Sequence, residues 1–323
     1  MGVSMADLKH GFASTNGIRM HYVEAGSGPL VVLCHGWPES WYSWRHQLPA
    51  LAEAGYRVVA PDQRGFGQTD KPEAIEAYNI LNLVSDIVGL VNTLGEERAV
   101  IVGHDWGAPV AWTSALIRTD MFRGLGLLSV PYGSRPPVRP AVYFKAITEH
   151  KNFYQEYFQE PGKVEQELEA DVRKTMLGAL YCASGDAPAE DRFKFLFEKN
   201  QRFIDTLVVP DKLPPWLSEE DLAFFVNEFK HSGFRGGVNW YGNIDRNWEL
   251  TPFLDGAKII RPTVFAAGDR DIAMDMVADG YKNLESHVAN LYKKHLIPGA
   301  GHWIQQERPK EINELLIDFL RSL

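Results

Sequence analysis

Six short runs, read as β-branched or apolar, stop abruptly at Gly, Asp or Pro. They are Pro29–Cys34, Arg57–Pro61, Ala99–Val102, Leu125–Val130, Thr263–Ala267 and Leu291–Ile297. Runs apolar at consecutive positions predict strands buried on both faces, as in a parallel sheet covered by helices. Between them, Trp41–Ala54, Asn79–Leu94, Ala108–Ile117 and Pro309–Leu320 carry helical spacing. In the last, Ile312, Leu315, Leu316, Phe319 and Leu320 share one face, and Pro309 suits the first turn. Strand and helix alternate, which predicts an α/β fold: a mostly parallel central sheet flanked by helices.

The alternation breaks between about Tyr132 and Trp248. The stretch opens on the stiff Pro131–Pro137 segment, turns helical, is rich in Phe, Tyr, Glu and Lys, and shows no strand pattern of comparable strength. This predicts a helical lid over residues 132–247, inserted into a core made of residues 1–131 and 248–323. No internal repeat or low-complexity tract interrupts either part.

Composition narrows the class. At 323 residues, 45% hydrophobic and 23% charged, the chain is an ordinary globular protein rather than a disordered or collagen-like one. A net charge of −9 would repel phosphates, so no nucleic-acid partner is expected. No apolar stretch reaches the ~20 residues needed to span a bilayer, and Met1–Gly11 lack the apolar run of a secretory signal. The expectation is an unanchored, cytoplasmic protein. Cys34 and Cys182 are too few and too far apart for a disulfide framework or zinc site, and are read as reduced, buried thiols.

The strongest local chemistry lies where a β-branched strand meets a helix, at Gly103-His104-Asp105-Trp106-Gly107. Small residues at both ends of such a junction allow a sharp turn that forces the central side chain, here Asp105, out at the sheet edge. An aspartate merely capping the helix would look similar. A second fragment favours the turn. His35-Gly36-Trp37-Pro38 follows the first buried strand, where backbone N–H groups could meet a developing oxyanion; Trp37 would give one donor and Trp106 the other. His302 sits in the glycine-rich loop after the last strand, at the edge where parallel sheets place ligands. Asp269 and Asp271 follow the preceding strand and either could orient that imidazole; Asp271, which ends its turn just before Ile272, is preferred. The order of nucleophile Asp105, acid Asp271 and base His302 is that of the α/β hydrolases.

With these fragments in place, the sequence resembles the soluble epoxide hydrolases of the α/β-hydrolase superfamily over nearly its whole length. The resemblance is carried by His35–Pro38, Trp41–Arg45, Asp62–Gly67, Gly103–Gly107 and Gly301-His302, and by two lid segments, Phe153–Gly162 and Gly233–Tyr241. It implies that Tyr154 and Tyr241 are the pair that assists ring opening, that Asp105 forms a covalent ester, and that the substrates are a small-molecule epoxide and water. His35, Pro38, Phe153 and Trp240 are expected to line the substrate pocket. No metal or organic cofactor is expected, since side chains and backbone supply nucleophile, base and electrophile. The phosphatase domain that precedes this unit in some animal members is not expected here. Oligomeric state is left open, a homodimer included.

Two other functions use the same residues. A haloalkane or haloacid dehalogenase would share the Asp105–Asp271–His302 apparatus and take halide donors from indoles such as Trp106 and Trp240, but would leave the paired tyrosines unexplained. A non-catalytic binding protein could reuse the scaffold, although every catalytic position is filled.

Overall fold

The computed structural model describes residues 7–323. Residues 1–6, on which part of the leader-peptide expectation rests, lie outside the described residues.

Eight strands form the central sheet: β1 (Lys9–Thr15), β2 (Ile18–Ala25), β3 (Leu30–Cys34), β4 (Arg57–Pro61), β5 (Ala99–His104), β6 (Phe122–Leu128), β9 (Thr263–Gly268) and β10 (Leu291–Ile297). Their spatial order is β1-β2-β4-β3-β5-β6-β9-β10. Every pairing from β4 to β10 is parallel; β2 alone runs against the rest, pairing antiparallel with both β1 and β4. Side-chain alternation divides the core between the two faces. Leu30, Val32 and Cys34 of β3 pack with helices α2 (Ile80–Thr93) and α3 (Gly107–Ile117). Val31 and Leu33 pack on the opposite face with α1 (Gln47–Glu53) and the C-terminal helix Pro309–Arg321. That last helix buries the five apolar residues its spacing marked out. Helix α2 starts where Asn79 accepts hydrogen bonds from the N–H groups of Leu81 and Asn82, each at 3.1 Å.

One element escaped the sequence reading and two expectations need correction. The N-terminal hairpin presents no continuous apolar run, because β1 and β2 sit at the sheet margin and bury only alternate residues. The helix expected over Trp41–Ala54 is a 3-10 turn, Trp41–Trp44, followed by the short α1. The insertion between β6 and β9 is mainly helical, with its longest helices at Val172–Cys182 and Glu219–Ser232, yet it also holds a small antiparallel pair, β7 (Lys151–Phe153) with β8 (Leu196–Glu198).

This order sets the stage for chemistry. Strands β3, β5, β6, β9 and β10 are consecutive neighbours, so the loops leaving their carboxyl ends converge at one edge. Among the described residues no helix is long and apolar enough to cross a membrane.

Candidate active site

Asp105 stands at the crest of the turn between β5 and α3 with a φ of 51°, a conformation few side chains adopt. Close approach of the two arms demands glycine on either side. A Cβ on Gly103 would lie 2.1 Å from the Gly107 carbonyl oxygen, and one on Gly107 would lie 2.1 Å from that of Cys34. The aspartate is therefore presented by the turn and does not cap α3.

Its two oxygens have different partners. Oδ1 accepts a hydrogen bond from the Trp37 backbone N–H at 2.8 Å, and Oδ2 lies 3.2 Å from His302 Nε2. On the far side of the ring, His302 Nδ1 meets Asp271 Oδ1 at 2.9 Å. Asp269 points elsewhere, accepting from the Gly299 N–H. Burial disfavours a charge on His302, but the Asp271 carboxylate and the hydrogen bonds to Asp105 and Asp271 outweigh it, so its pKa lies well above the ordinary value. Burial likewise opposes ionisation of Asp271, yet His302, Ser129 and the Ala273 N–H hold its carboxyl below the usual range.

Facing Asp105 across a cavity of about 570 Å³ are Tyr154 and Tyr241, with ring centroids 5.9 Å apart. Burial, followed by neighbouring negative charge, raises both phenols above their ordinary pKa. Gln155 donates to the Tyr154 hydroxyl at 3.0 Å, and the Trp106 ring stands edge-on to that of Tyr241 with centroids 5.2 Å apart. Pro38, Phe153, Trp37 and Trp106 also line the cavity.

Two expected pocket residues are not there. His35 is fully buried, its Nδ1 on the Gly36 carbonyl and its Nε2 accepting from the Gln63 N–H, which fixes the loop after β3. The Trp240 indole donates to the Arg64 carbonyl at 3.0 Å and packs behind Trp106. Its N–H is thus committed within the protein and cannot serve a ligand.

Several site residues carried little signal in the sequence. Glu39, fully buried, accepts from the Gly36 N–H and meets His104 Nδ1, both at 2.8 Å, while His104 Nε2 meets the His302 carbonyl at 2.7 Å. An acid placed directly after Pro38 in an otherwise apolar loop was the only mark it left. Ser129, within bonding distance of both Asp271 and His302, left none, because it reads as one more strand residue. Among the described residues no group of three or more His, Cys, Asp or Glu could hold a metal ion.

A turn-borne acid at the carboxyl edge, an acid–histidine pair from the next loops and a cover of helices define an α/β hydrolase, and the model of the α/β hydrolase fold matches residues 29–150. Within that class the chain belongs to the epoxide hydrolase family. It is 46% identical to epoxide hydrolase A of Mycobacterium tuberculosis over 96% of both chains. The structure of an epoxide hydrolase from an endophytic Streptomyces superposes with a TM-score of 0.95 at 44% identity, covering 98% of this chain and 96% of that one. Epoxide hydrolase A from Mycobacterium thermoresistibile gives 0.93 at 46% identity, covering 98% and 99%.

Proposed function

We propose that the protein hydrolyses epoxides to vicinal diols through an ester on Asp105, beneath a lid formed by residues 132–247. The observation that carries this reading is the carboxylate of Asp105, held between an N–H donor and an imidazole, with two buried phenols across the cavity.

An epoxide carbon is saturated, so ring opening is a backside displacement. Oδ2 of Asp105 attacks, the C–O bond breaks, and the oxygen that leaves takes a proton from a tyrosine. The Gln155 N–H on the Tyr154 oxygen supports the phenolate that results there. Ester formation removes the charge of Asp105, and with it part of what holds the proton on His302. That proton leaves and the phenol is restored. Neutral His302, oriented by Asp271, then accepts a proton from water as the water attacks the ester carbonyl carbon. The oxyanion forms on Oδ1, already seated on the Trp37 N–H; the Trp106 N–H, next in the chain after Asp105, is the second donor. Losing one such donor typically costs about 3 kcal/mol. On collapse the ester C–O bond breaks, His302 gives the departing alkoxide the proton it took from water, the diol leaves, and the acid formed on Asp105 passes its proton back to His302.

The test is mass spectrometry of His302→Gln after mixing with an epoxide. An adduct of the epoxide's mass on the peptide carrying Asp105 is expected, together with loss of diol release. An unmodified Asp105, or an Asp105→Asn variant with full turnover, would defeat the reading. Halide release from a haloalkane without diol formation from any epoxide would favour the dehalogenase instead.

A further inference from the structure

Strand β6 ends at Leu128, two residues before the apolar run does, because Ser129 adopts a φ of +70°. The Val130 N–H bonds back to the Leu128 carbonyl at 2.8 Å, making Ser129 the centre of a γ-turn of the rare positive-φ kind. Nothing about chain connection requires that strain, since the residue is fully buried and its own N–H is already satisfied by the Ala266 carbonyl. What the turn achieves is the direction of the side chain. Ser129 Oγ donates to Asp271 Oδ2 at 2.5 Å and lies 2.8 Å from His302 Nδ1. With Asp271 Oδ1 on the same nitrogen at 2.9 Å, the three side chains close a ring of hydrogen bonds. Strained backbone persists only where the surroundings enforce it, and it concentrates at functional sites.

We propose that Ser129 is a positioning residue for the second half-reaction, pinning the Nδ1 side of His302 so that Nε2 faces the Asp105 ester and its attacking water. The inference rests on the reading of His302 as the base. One carboxylate oxygen on Nδ1 leaves the imidazole free to tilt about that bond. The hydroxyl, held by the other carboxylate oxygen, supplies a second anchor and removes the tilt. It also occupies Asp271 Oδ2, so that Oδ1, which is shared only with the Ala273 N–H, remains turned to the ring. Ring opening does not use His302 as a base, so Ser129 should leave that step alone.

The experiment compares Ser129→Gly and Ser129→Ala with the parent protein, mixed rapidly with styrene oxide in single turnovers. Tryptophan fluorescence follows the ester, since Trp37 and Trp106 line the cavity, and chromatography follows the diol. Ester formation is expected within about twofold of the parent, and ester breakdown slower by about tenfold or more, the usual effect of losing a hydrogen bond to a charged partner. Glycine relieves the positive φ, so Ser129→Gly should melt no lower than Ser129→Ala while keeping the slow breakdown. A merely structural role would slow both half-reactions together. That result, or normal breakdown in Ser129→Gly, overturns the proposal. His302→Gln run alongside separates the two readings. Ester accumulation there with normal Ser129→Gly kinetics removes only the role of Ser129, whereas no ester on Asp105 removes the reading beneath it.

Discussion

A phenol is a weak acid, and Tyr154 and Tyr241 are made weaker by burial and by the charge of Asp105. This suits a group that must stay protonated until an alkoxide develops beside it. On the proposed route ester formation removes the charge of Asp105, and the Gln155 N–H remains to stabilise a phenolate on Tyr154. Tyr154→Phe and Tyr241→Phe are each expected to slow ester formation by about 100-fold, within the range for general acids, and to leave ester breakdown nearly unchanged. The double variant should form almost no ester. Single-turnover fluorescence resolves the two steps, and unaltered ester formation in the double variant would show that other groups protonate the leaving oxygen. Because both pKa values are raised, ring opening should show no alkaline loss from tyrosine ionisation between about pH 7 and 10.

At the scale of elements, three loops must hold their places relative to one another, and Glu39 joins them. Its carboxylate takes the N–H of Gly36 beside the Trp37 donor, the ring of His104 beside Asp105, and the Gln305 amide of the turn after His302. Burial opposes its ionisation, but His104, His35 and the Gly36 N–H pull its pKa down to about 2 from an ordinary 4.5. A depressed folded-state value contributes stability that is present above pH 4.5 and lost as pH falls toward 2, in this case on the order of 3 kcal/mol. Thermal melts should therefore drop steeply between those limits, and Glu39→Gln should melt lower at pH 7 with a shallower acid slope. An unchanged slope in the variant would assign the acid sensitivity to other groups. The same loops show what the sequence disclosed. The buried parallel strands β3 to β6 and β9 and the Asp105 turn were legible because both require unusual local residues, runs of consecutive apolar side chains in one case and paired glycines in the other. The edge strand β10, expected buried on both faces, is buried only at Ile297. The N-terminal hairpin also carried a local mark, Asn16-Gly17 at positive φ between Thr15 and Ile18, but its half-buried strands do not read as continuous apolar runs. Ser129 and the place of Trp240 were hidden for a different reason. Each depends on which distant element packs against it, and no short window of sequence encodes that.

At the scale of the whole molecule, the insertion covers the sheet edge and walls a chamber above it, and those walls decide what binds. Phe144, Phe153, Phe193 and Phe195 from the insertion meet Trp112 and Ile272 from the core, while the lining contains no lysine or arginine and no carboxylate except Asp105. A neutral, lipophilic epoxide gains about 0.8 kcal/mol for each methylene it buries there. An anionic epoxide must shed its hydration with only His302 as a cation, already paired with Asp105 and Asp271, and would also approach the Asp105 carboxylate. Across a panel, kcat/KM should rise from propylene oxide to styrene oxide and stilbene oxide, and an epoxide dicarboxylate should fall below styrene oxide by at least about 100-fold, as ~3 kcal/mol of unmet desolvation requires. Replacing Phe193 with lysine should narrow that gap by supplying the missing charge while lowering the rate on stilbene oxide. Equal rates on the neutral and dicarboxylate epoxides in the parent protein would mean that substrates react outside this chamber, and its apolar walls would then have no part in selecting them.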